Sequence, residues 1–330
     1  MSTYMVSCLE NFAPSVQEAM RGVLPPGFEI RFAASLDEDE HIKLVSDSDF
    51  LLIGGGHLTD KILQNANRAR LIQKWGIGID KIDLQAAKAR GIPVAITAGA
   101  NATPVAELAV ALMLSVFRRI PYADRNLRAG RWLKPEMRTL CRNLGGKTIG
   151  LLGFGAIAKM VAKRLSGFDV RIIYHDIHKA DTETESKLNA HAVSFEELLT
   201  QSDVISIHTP LSASTRRMIN AEALSKMKST AIIVNTARGG IVDEDALYKA
   251  LTTGAILGAG LDSFDTEPLP GDSPFLALDN VVVTPHAGGG VLDNVENVTR
   301  HAFANMLRIL NNEDLKPADI IVSQVEVAKH

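Results

Sequence analysis

Cysteine is nearly missing from this chain of 330 residues: Cys8 and Cys141 stand alone and far apart. Two distant thiols build neither a disulfide framework nor a zinc cluster, so no metal is expected and both are read as small core residues in a reducing compartment. An excess of charge is missing as well. With 35 Lys and Arg against 38 Asp and Glu, the net charge is −3. Nothing in that balance attracts a polyanion, which argues against nucleic acid as a partner. Long hydrophobic runs are also lacking. The longest, near residues 109–117, is too short to span a bilayer, so no membrane association is expected. Residues 1–14 have no basic start and no apolar stretch of signal-peptide length, and Glu10 interrupts them, so the expected location is cytoplasmic.

What is present is the balance of a soluble globular protein, 46% apolar and 22% charged, at a length that suggests two domains. Strand and helix signals alternate in two series. The first predicts strands at residues 4–9, 29–33, 49–53, 71–75 and 93–97, with helices at 15–21, 37–45, 59–67 and 84–90 between them. A long apolar helix over residues 103–117 follows, with Thr103 as its expected N-cap and Pro104 at its first position. Residues 121–132 read as a short helix or arm. The second series predicts strands at 148–152, 170–175, 204–208, 231–235, 258–262 and 281–284, helices at 156–165, 195–199, 221–227 and 243–251, and an amphipathic helix at 294–310. Such alternation means an α/β fold with parallel sheets. Two such domains joined by a buried helix are expected to leave a small-molecule cleft between them.

The second series opens with a nucleotide-binding pattern. Gly153, Gly155 and Ala158 fill G-x-G-x-x-G/A between an apolar strand and a helix. The first glycine permits the tight turn, the second lets backbone approach a pyrophosphate, and Ala158 still packs closely on the strand. The helix start at Ala156 and Ile157 supplies amide donors and a positive dipole end. Asp176 ends the next strand at the distance expected of the acidic residue that accepts from the ribose hydroxyls, which favours NAD over NADP.

Downstream, Asn235-Thr236-Ala237-Arg238-Gly239-Gly240-Ile241-Val242-Asp243 follows an apolar strand and ends in a helix-capping Asp. Arg238 is thereby placed at the carboxyl end of a sheet strand, where open α/β folds bind ligands. Glu267 and His286 follow at further strand ends. Each alone is an ordinary surface residue. Together they make a set that could bind a carboxylate and move a proton, since Arg grips a carboxylate bidentately and His is the usual proton donor near neutrality.

These segments resemble the D-isomer-specific 2-hydroxyacid dehydrogenase family, of the phosphoglycerate dehydrogenase-like and glyoxylate/hydroxypyruvate reductase-like kind. Further matches are Gly76-Ile77-Gly78-Ile79-Asp80, His208-Thr209-Pro210-Leu211, Gly260-Leu261-Asp262 and Asp265-Thr266-Glu267-Pro268. The resemblance implies a flavodoxin-like substrate domain, residues 1–99 completed by 292–330, with a Rossmann NAD-binding domain, residues 100–291, inserted into it. It implies a homodimer. It implies that Arg238 binds the substrate carboxylate, that His286 is the proton donor and that Glu267 holds the imidazole and favours its protonated form. Ile77 and Gly78 match substrate-carboxylate amides, and Lys74 stands where a substrate-binding arginine often lies. Ala156, Ile157, Thr209, Thr236 and Asp262 match cofactor contacts, Asp262 on the nicotinamide side.

Two departures stand out. Ile53 occupies the place of a phosphoglycerate dehydrogenase arginine, which disfavours a phosphorylated substrate. Ala156 replaces a residue that is often basic. The implied activity is NAD-dependent hydride transfer on a small 2-hydroxy or 2-keto acid such as glyoxylate, hydroxypyruvate or 3-phosphoglycerate. The alternative is an NAD(H)-responsive corepressor-like binding protein of the same fold.

Overall fold

The short, apolar, β-branched runs form strands in the computed structural model, which describes residues 3–323. They are β1 (Tyr4–Cys8), β2 (Phe28–Phe32), β3 (Phe50–Ile53), β4 (Leu71–Lys74), β5 (Val94–Ala95), β6 (Thr148–Leu152), β7 (Arg171–His175), β8 (Ala190–Ala192), β9 (Val204–Ile207), β10 (Ile232–Asn235), β11 (Gly258–Leu261), β12 (Val281–Val283) and β13 (Ile320–Val322). The chain divides into two compact units, one made of the residues up to 101 and those from 291 onward, the other of residues 102–290. Residues 324–330, the end of the expected 292–330 segment, lie outside the described residues.

The first unit carries a sheet in the order β13-β5-β4-β3-β1-β2. Its pairings are parallel except for β13, which pairs antiparallel to β5. β3 is buried along its whole length, as a parallel strand covered on both faces must be. The helix Val295–Leu310 lays Val295, Ala302, Phe303 and Met306 into the same core as Val6, Phe50 and Leu71. Its polar residues on that face are paired: Asn305 donates to Gln73 Oε1 at 3.1 Å, and Thr299 accepts from the Trp75 indole at 3.1 Å.

The second unit carries the order β12-β11-β10-β9-β6-β7-β8, parallel throughout. Strand order reverses between β6 and β9, the doubly wound Rossmann arrangement, and the carboxyl ends at that point form the usual dinucleotide crevice. The α/β fold class expected from the alternation is the one observed.

Local chemistry sets the helix starts. Ser194 and Glu197 form a reciprocal capping box, with bonds of 3.2 and 2.8 Å, at the head of the helix Phe195–Gln201. Asp243 caps the helix Glu244–Thr252 through the Ala246 N–H at 3.1 Å. Thr103 does not serve as the expected cap: the helix runs Ala102–Phe117, so Thr103 and Pro104 both lie in its first turn, where the missing proline donor costs nothing. The helix expected over residues 59–67 shrinks to Asp60–Leu63, capped by Thr59. The arm expected over residues 121–132 forms the helix Ile120–Arg128, and a further helix, Lys134–Leu140, follows it. Strands β8 and β13 and the helix Thr182–Leu188 were not expected, because a strand of three residues, or a short polar helix, leaves no period to read.

Candidate active site

The glycine-rich turn takes its shape from close packing. Gly153 sits at φ 88°, and a Cβ there would lie 2.8 Å from the Thr209 backbone nitrogen and 2.9 Å from the His208 carbonyl carbon. Only glycine tolerates both. Gly155 is the N-cap of the helix Ala156–Leu165, exposed, with open space where a Cβ would stand. Among the described residues no side chain caps that helix, so the amides of its first turn, including Ala156 and Ile157, are left as open donors at the sheet's carboxyl edge. Ala158 is fully buried against the sheet. Asp176 follows β7 and accepts from the Phe154 N–H at 2.6 Å and the His178 N–H at 2.8 Å. Its carboxylate therefore braces the glycine turn while remaining half-exposed beside it.

Further along the carboxyl edge, β10 and β11 pair in register and end at Asn235 and Leu261. Thr236 and Ser263 follow, both buried, and their hydroxyls have no hydrogen-bond partner among the described residues. Two orphaned buried hydroxyls, an uncapped helix start and an open glycine cradle fit a polar dinucleotide. Thr236 was anticipated; Ser263 was not, and its only sequence signal is its place beside Asp262. Thr209 follows β9, half-buried against Gly153.

The acidic and imidazole groups come together. His286 Nδ1 lies 2.9 Å from both carboxylate oxygens of Glu267. Glu267 Oε1 also accepts from the Phe264 N–H at 3.1 Å, which fixes the carboxylate's rotation. His286 has a φ of 51°, an uncommon conformation for a side chain of its size. Asp262, 1% exposed, holds that loop: it accepts from Thr284 Oγ1 at 2.6 Å and from the amides of Ala287 and Gly288 at 2.8 and 2.9 Å.

Arg238 lies on the neighbouring loop, half-buried. Asn235 shapes this turn by accepting from the Ala237 N–H and donating to the Arg238 carbonyl, at 3.0 and 2.8 Å. Gly239 is pressed onto the Glu267 loop, and a Cβ there would lie 2.1 Å from the Phe264 carbonyl. Asp265 accepts from the Gly240 N–H, and Glu244 accepts from the Asp265 N–H at 2.7 Å. Glu244 and Asp265 thus tie the Arg238 loop to the Glu267 loop. Sequence reasoning missed both as site residues, since their roles are backbone bonds between segments distant in the chain. Burial pushes the Glu244 carboxyl above the usual carboxylate range, the Asp265 N–H pulls it back, and nearby Asp265, Asp245 and Glu267 add to the rise.

Lys74, Ile77 and Gly78 belong to the other unit. Lys74 ends β4 and donates through Nζ to the Gly54 carbonyl. Ile77 is exposed on the loop that follows, with Gly78 half-buried beside it. The preceding Gly76 anchors that loop by donating its N–H to Thr97 Oγ1 at 2.9 Å.

A doubly wound sheet with a dinucleotide cradle, and a His–Glu pair beside an arginine at its carboxyl edge, define a nicotinamide-dependent oxidoreductase. The chain belongs to the D-isomer specific 2-hydroxyacid dehydrogenases: the family's NAD-binding domain model matches residues 110–288. It is similar to the hydroxypyruvate reductase of Thermotoga maritima, 43% identical over 78% of this chain and 83% of that protein. It is 42% identical to the glyoxylate reductase of Thermofilum pendens over 83% and 82% of the two chains. The D-3-phosphoglycerate dehydrogenase of Methanocaldococcus jannaschii is 39% identical over 79% of this chain, which spans 49% of that relative. Among solved structures, the TT0316 protein of Thermus thermophilus superposes with a TM-score of 0.84 at 34% identity, covering 96% of this chain and 100% of that one. The protein is an NAD-dependent oxidoreductase of hydroxy acids, and no comparison supports the corepressor alternative. Among the described residues no helix is long and apolar enough to cross a membrane, and no group of His, Cys, Asp and Glu is arranged to hold a metal ion.

Proposed function

We propose that the chain interconverts a small D-2-hydroxy acid and its 2-keto acid, of the glyoxylate, hydroxypyruvate or 3-phosphoglycerate kind. The observation that carries this reading is the His286–Glu267 pair, with Nδ1 2.9 Å from both carboxylate oxygens. With Nδ1 so held, Nε2 is the nitrogen left to give a proton to the carbonyl oxygen during reduction. Bound NADH supplies the hydride. Arg238 grips the substrate carboxylate and polarises the carbonyl; Ile77 and Gly78 offer backbone amides to the same carboxylate, and Lys74 adds charge. Ala156, Ile157, Thr209, Thr236 and Asp262 contact the cofactor, and Asp176 receives the ribose hydroxyls. Asp262 also keeps His286 in place through the Ala287 and Gly288 amides.

In this reading the unit containing residues 102–290 binds NAD, and the other, the segments 1–99 and 292–330, binds substrate. The enzyme works in the cytoplasm as a homodimer, with the arm of residues 121–132 in the subunit interface. Leu127 and Trp132 on that arm are exposed by 56% and 73%, which supports a partner there.

The test is NADH oxidation with a panel of keto acids, by the wild type and by His286→Ala. Turnover of at least one short 2-keto acid is expected, reduced by about 10² or more in the variant. Inactivity across the panel, or near-normal turnover in the variant, would overturn the assignment.

A further inference from the structure

Between β7 and the helix Thr182–Leu188 the sequence carries a single lysine or arginine, Lys179, three residues past Asp176. The segment that holds it is clamped at both ends. Asp176 accepts from the Phe154 and His178 amides, and the Ala180 N–H donates to the Tyr174 hydroxyl at 3.0 Å. Tyr174 is itself buried on β7. Its ring stacks on Phe154 of the glycine turn, with centroids 3.8 Å apart and planes inclined by 12°.

The Tyr174 hydroxyl has one proton to give, and it goes to Glu185 Oε1 at 2.8 Å. The other carboxylate oxygen of Glu185 lies 3.6 Å from Lys179 Nζ. Glu185 is 17% exposed and Lys179 68%, so the anion is held by the protein and the mobile stem belongs to the cation. The Tyr174 hydroxyl holds the Glu185 carboxyl below the usual carboxylate range, burial opposes this, and Lys179 adds to the lowering. Glu185 is therefore charged at neutral pH. Ion pairs of this exposure shift an equilibrium by at most about fivefold, and a partner fixed by its own hydrogen bond puts the pair toward the upper end.

A 2′-phosphate on the ribose would be an added anion beside Asp176, and a lysine in the following loop could answer it as a point charge. With its ammonium on Glu185, Lys179 must first give up that pair. We propose that Glu185 is a positioning residue for cofactor choice: by engaging Lys179 it denies a 2′-phosphate the ammonium of the loop after Asp176. NADH is then selected twice, by the charge of Asp176 and by the withholding of Lys179. The inference rests on the reading of Asp176 as the acceptor of the ribose hydroxyls. Lys159 brings another ammonium to the glycine turn, 5.9 Å from the centroid of the Phe154 ring, and a double-variant comparison separates the two lysines.

Titration calorimetry of the enzyme without keto acid gives Kd for NADH and NADPH in the wild type, Glu185→Gln, Lys179→Gln and the double variant. Glu185→Gln keeps an acceptor for the Tyr174 hydroxyl and removes the charge. It should tighten NADPH about three- to fivefold and leave NADH within about twofold. Lys179→Gln alone changes an exposed side chain and should leave both cofactors within about twofold. The double variant should return NADPH to the wild-type affinity, because the gain belongs to the released ammonium. A gain that persists in the double variant would assign it to Lys159 or to the lost Glu185 charge, and would overturn the inference. So would a loss of NADPH affinity beyond about fivefold in Lys179→Gln alone, since Lys179 would then already serve the phosphate. Unchanged NADPH affinity in a Glu185→Gln protein that binds NADH normally would do the same. Equal wild-type affinities for the two cofactors would instead overturn the reading of Asp176, whereas the comparison among the variants bears on Lys179 and Glu185 alone.

Discussion

Arg238 shows how much a single side chain carries when its loop is fixed on two sides, by Asn235 from within the turn and by Phe264 and Asp265 from the next strand end. A planar guanidinium held there matches a carboxylate with two parallel donors, a geometry that lysine cannot reproduce. Arg238→Lys and Arg238→Ala should both lower kcat/KM for the keto acid by about 10² or more, mostly through KM, with NADH affinity little changed. Near-normal kcat/KM in either variant would remove Arg238 from the site. Asp176 makes a second residue-scale case. It braces the glycine turn through the Phe154 and His178 amides, and in the proposed reading it receives the ribose hydroxyls, which sets a negative charge where a 2′-phosphate would lie. The wild type should prefer NADH to NADPH by roughly 10²-fold. Asp176→Asn keeps an acceptor for the turn and loses the charge, so it should narrow that preference without unfolding the turn. Comparable kcat/KM for the two cofactors in the wild type would show that the charge does not discriminate.

At the scale of elements, the site is an edge. Loops after β6, β7, β9, β10, β11 and β12 bring their residues to one end of one parallel sheet. The central strands are buried, and His208, just past the end of β9, is half-buried with Nε2 bonded to Ser206 at 2.9 Å. Burial pushes its imidazole down to about 3. The folded value lies below the ordinary one of about 6.5, so protonation favours the unfolded chain. The stabilisation from a neutral His208 is complete above about pH 6.5 and is lost as pH falls toward 3. Relative to His208→Gln, the wild type should lose about 2 kcal/mol of unfolding free energy between pH 7 and pH 5. Urea denaturation of both proteins at the two pH values measures this, and a pH-independent difference would contradict it.

For the whole molecule, two units with separate cores imply that a ligand of one stabilises that unit against unfolding. NADH at about 100 times its dissociation constant should add roughly 2.7 kcal/mol to the stability of the unit containing residues 102–290. Calorimetry should show the corresponding transition moving up with NADH, and less with NADPH at equal concentration. A transition insensitive to NADH would contradict the assignment of the cradle at Gly153 and Gly155. The free thiols divide between the units: Cys8 lies in the first, where burial pushes its thiol far above the ordinary value, and Cys141 lies in the unit containing residues 102–290 and is half-exposed.

The sequence by itself determined the alternation, because apolar runs with flanking turn residues specify buried parallel strands without reference to anything distant. It also singled out the glycine cradle and the candidates Arg238, Glu267 and His286, since each lies in a contiguous motif at a strand end. It did not disclose β8 and β13, which are too short to carry a period and are held by neighbours. Nor did it disclose the bonds that decide the geometry of the site. Glu244 to Asp265, Asp265 to Gly240 and Asp262 to the Gly288 amide join segments separated along the chain. A carboxylate accepting a distant backbone N–H leaves no pattern in its own neighbourhood, and the same holds for Glu10 under the 54–56 loop. Residue types along a strand are chosen by local burial and can be read locally. Which loops meet at the sheet's edge is chosen by the order of the strands, and only the folded chain sets that order.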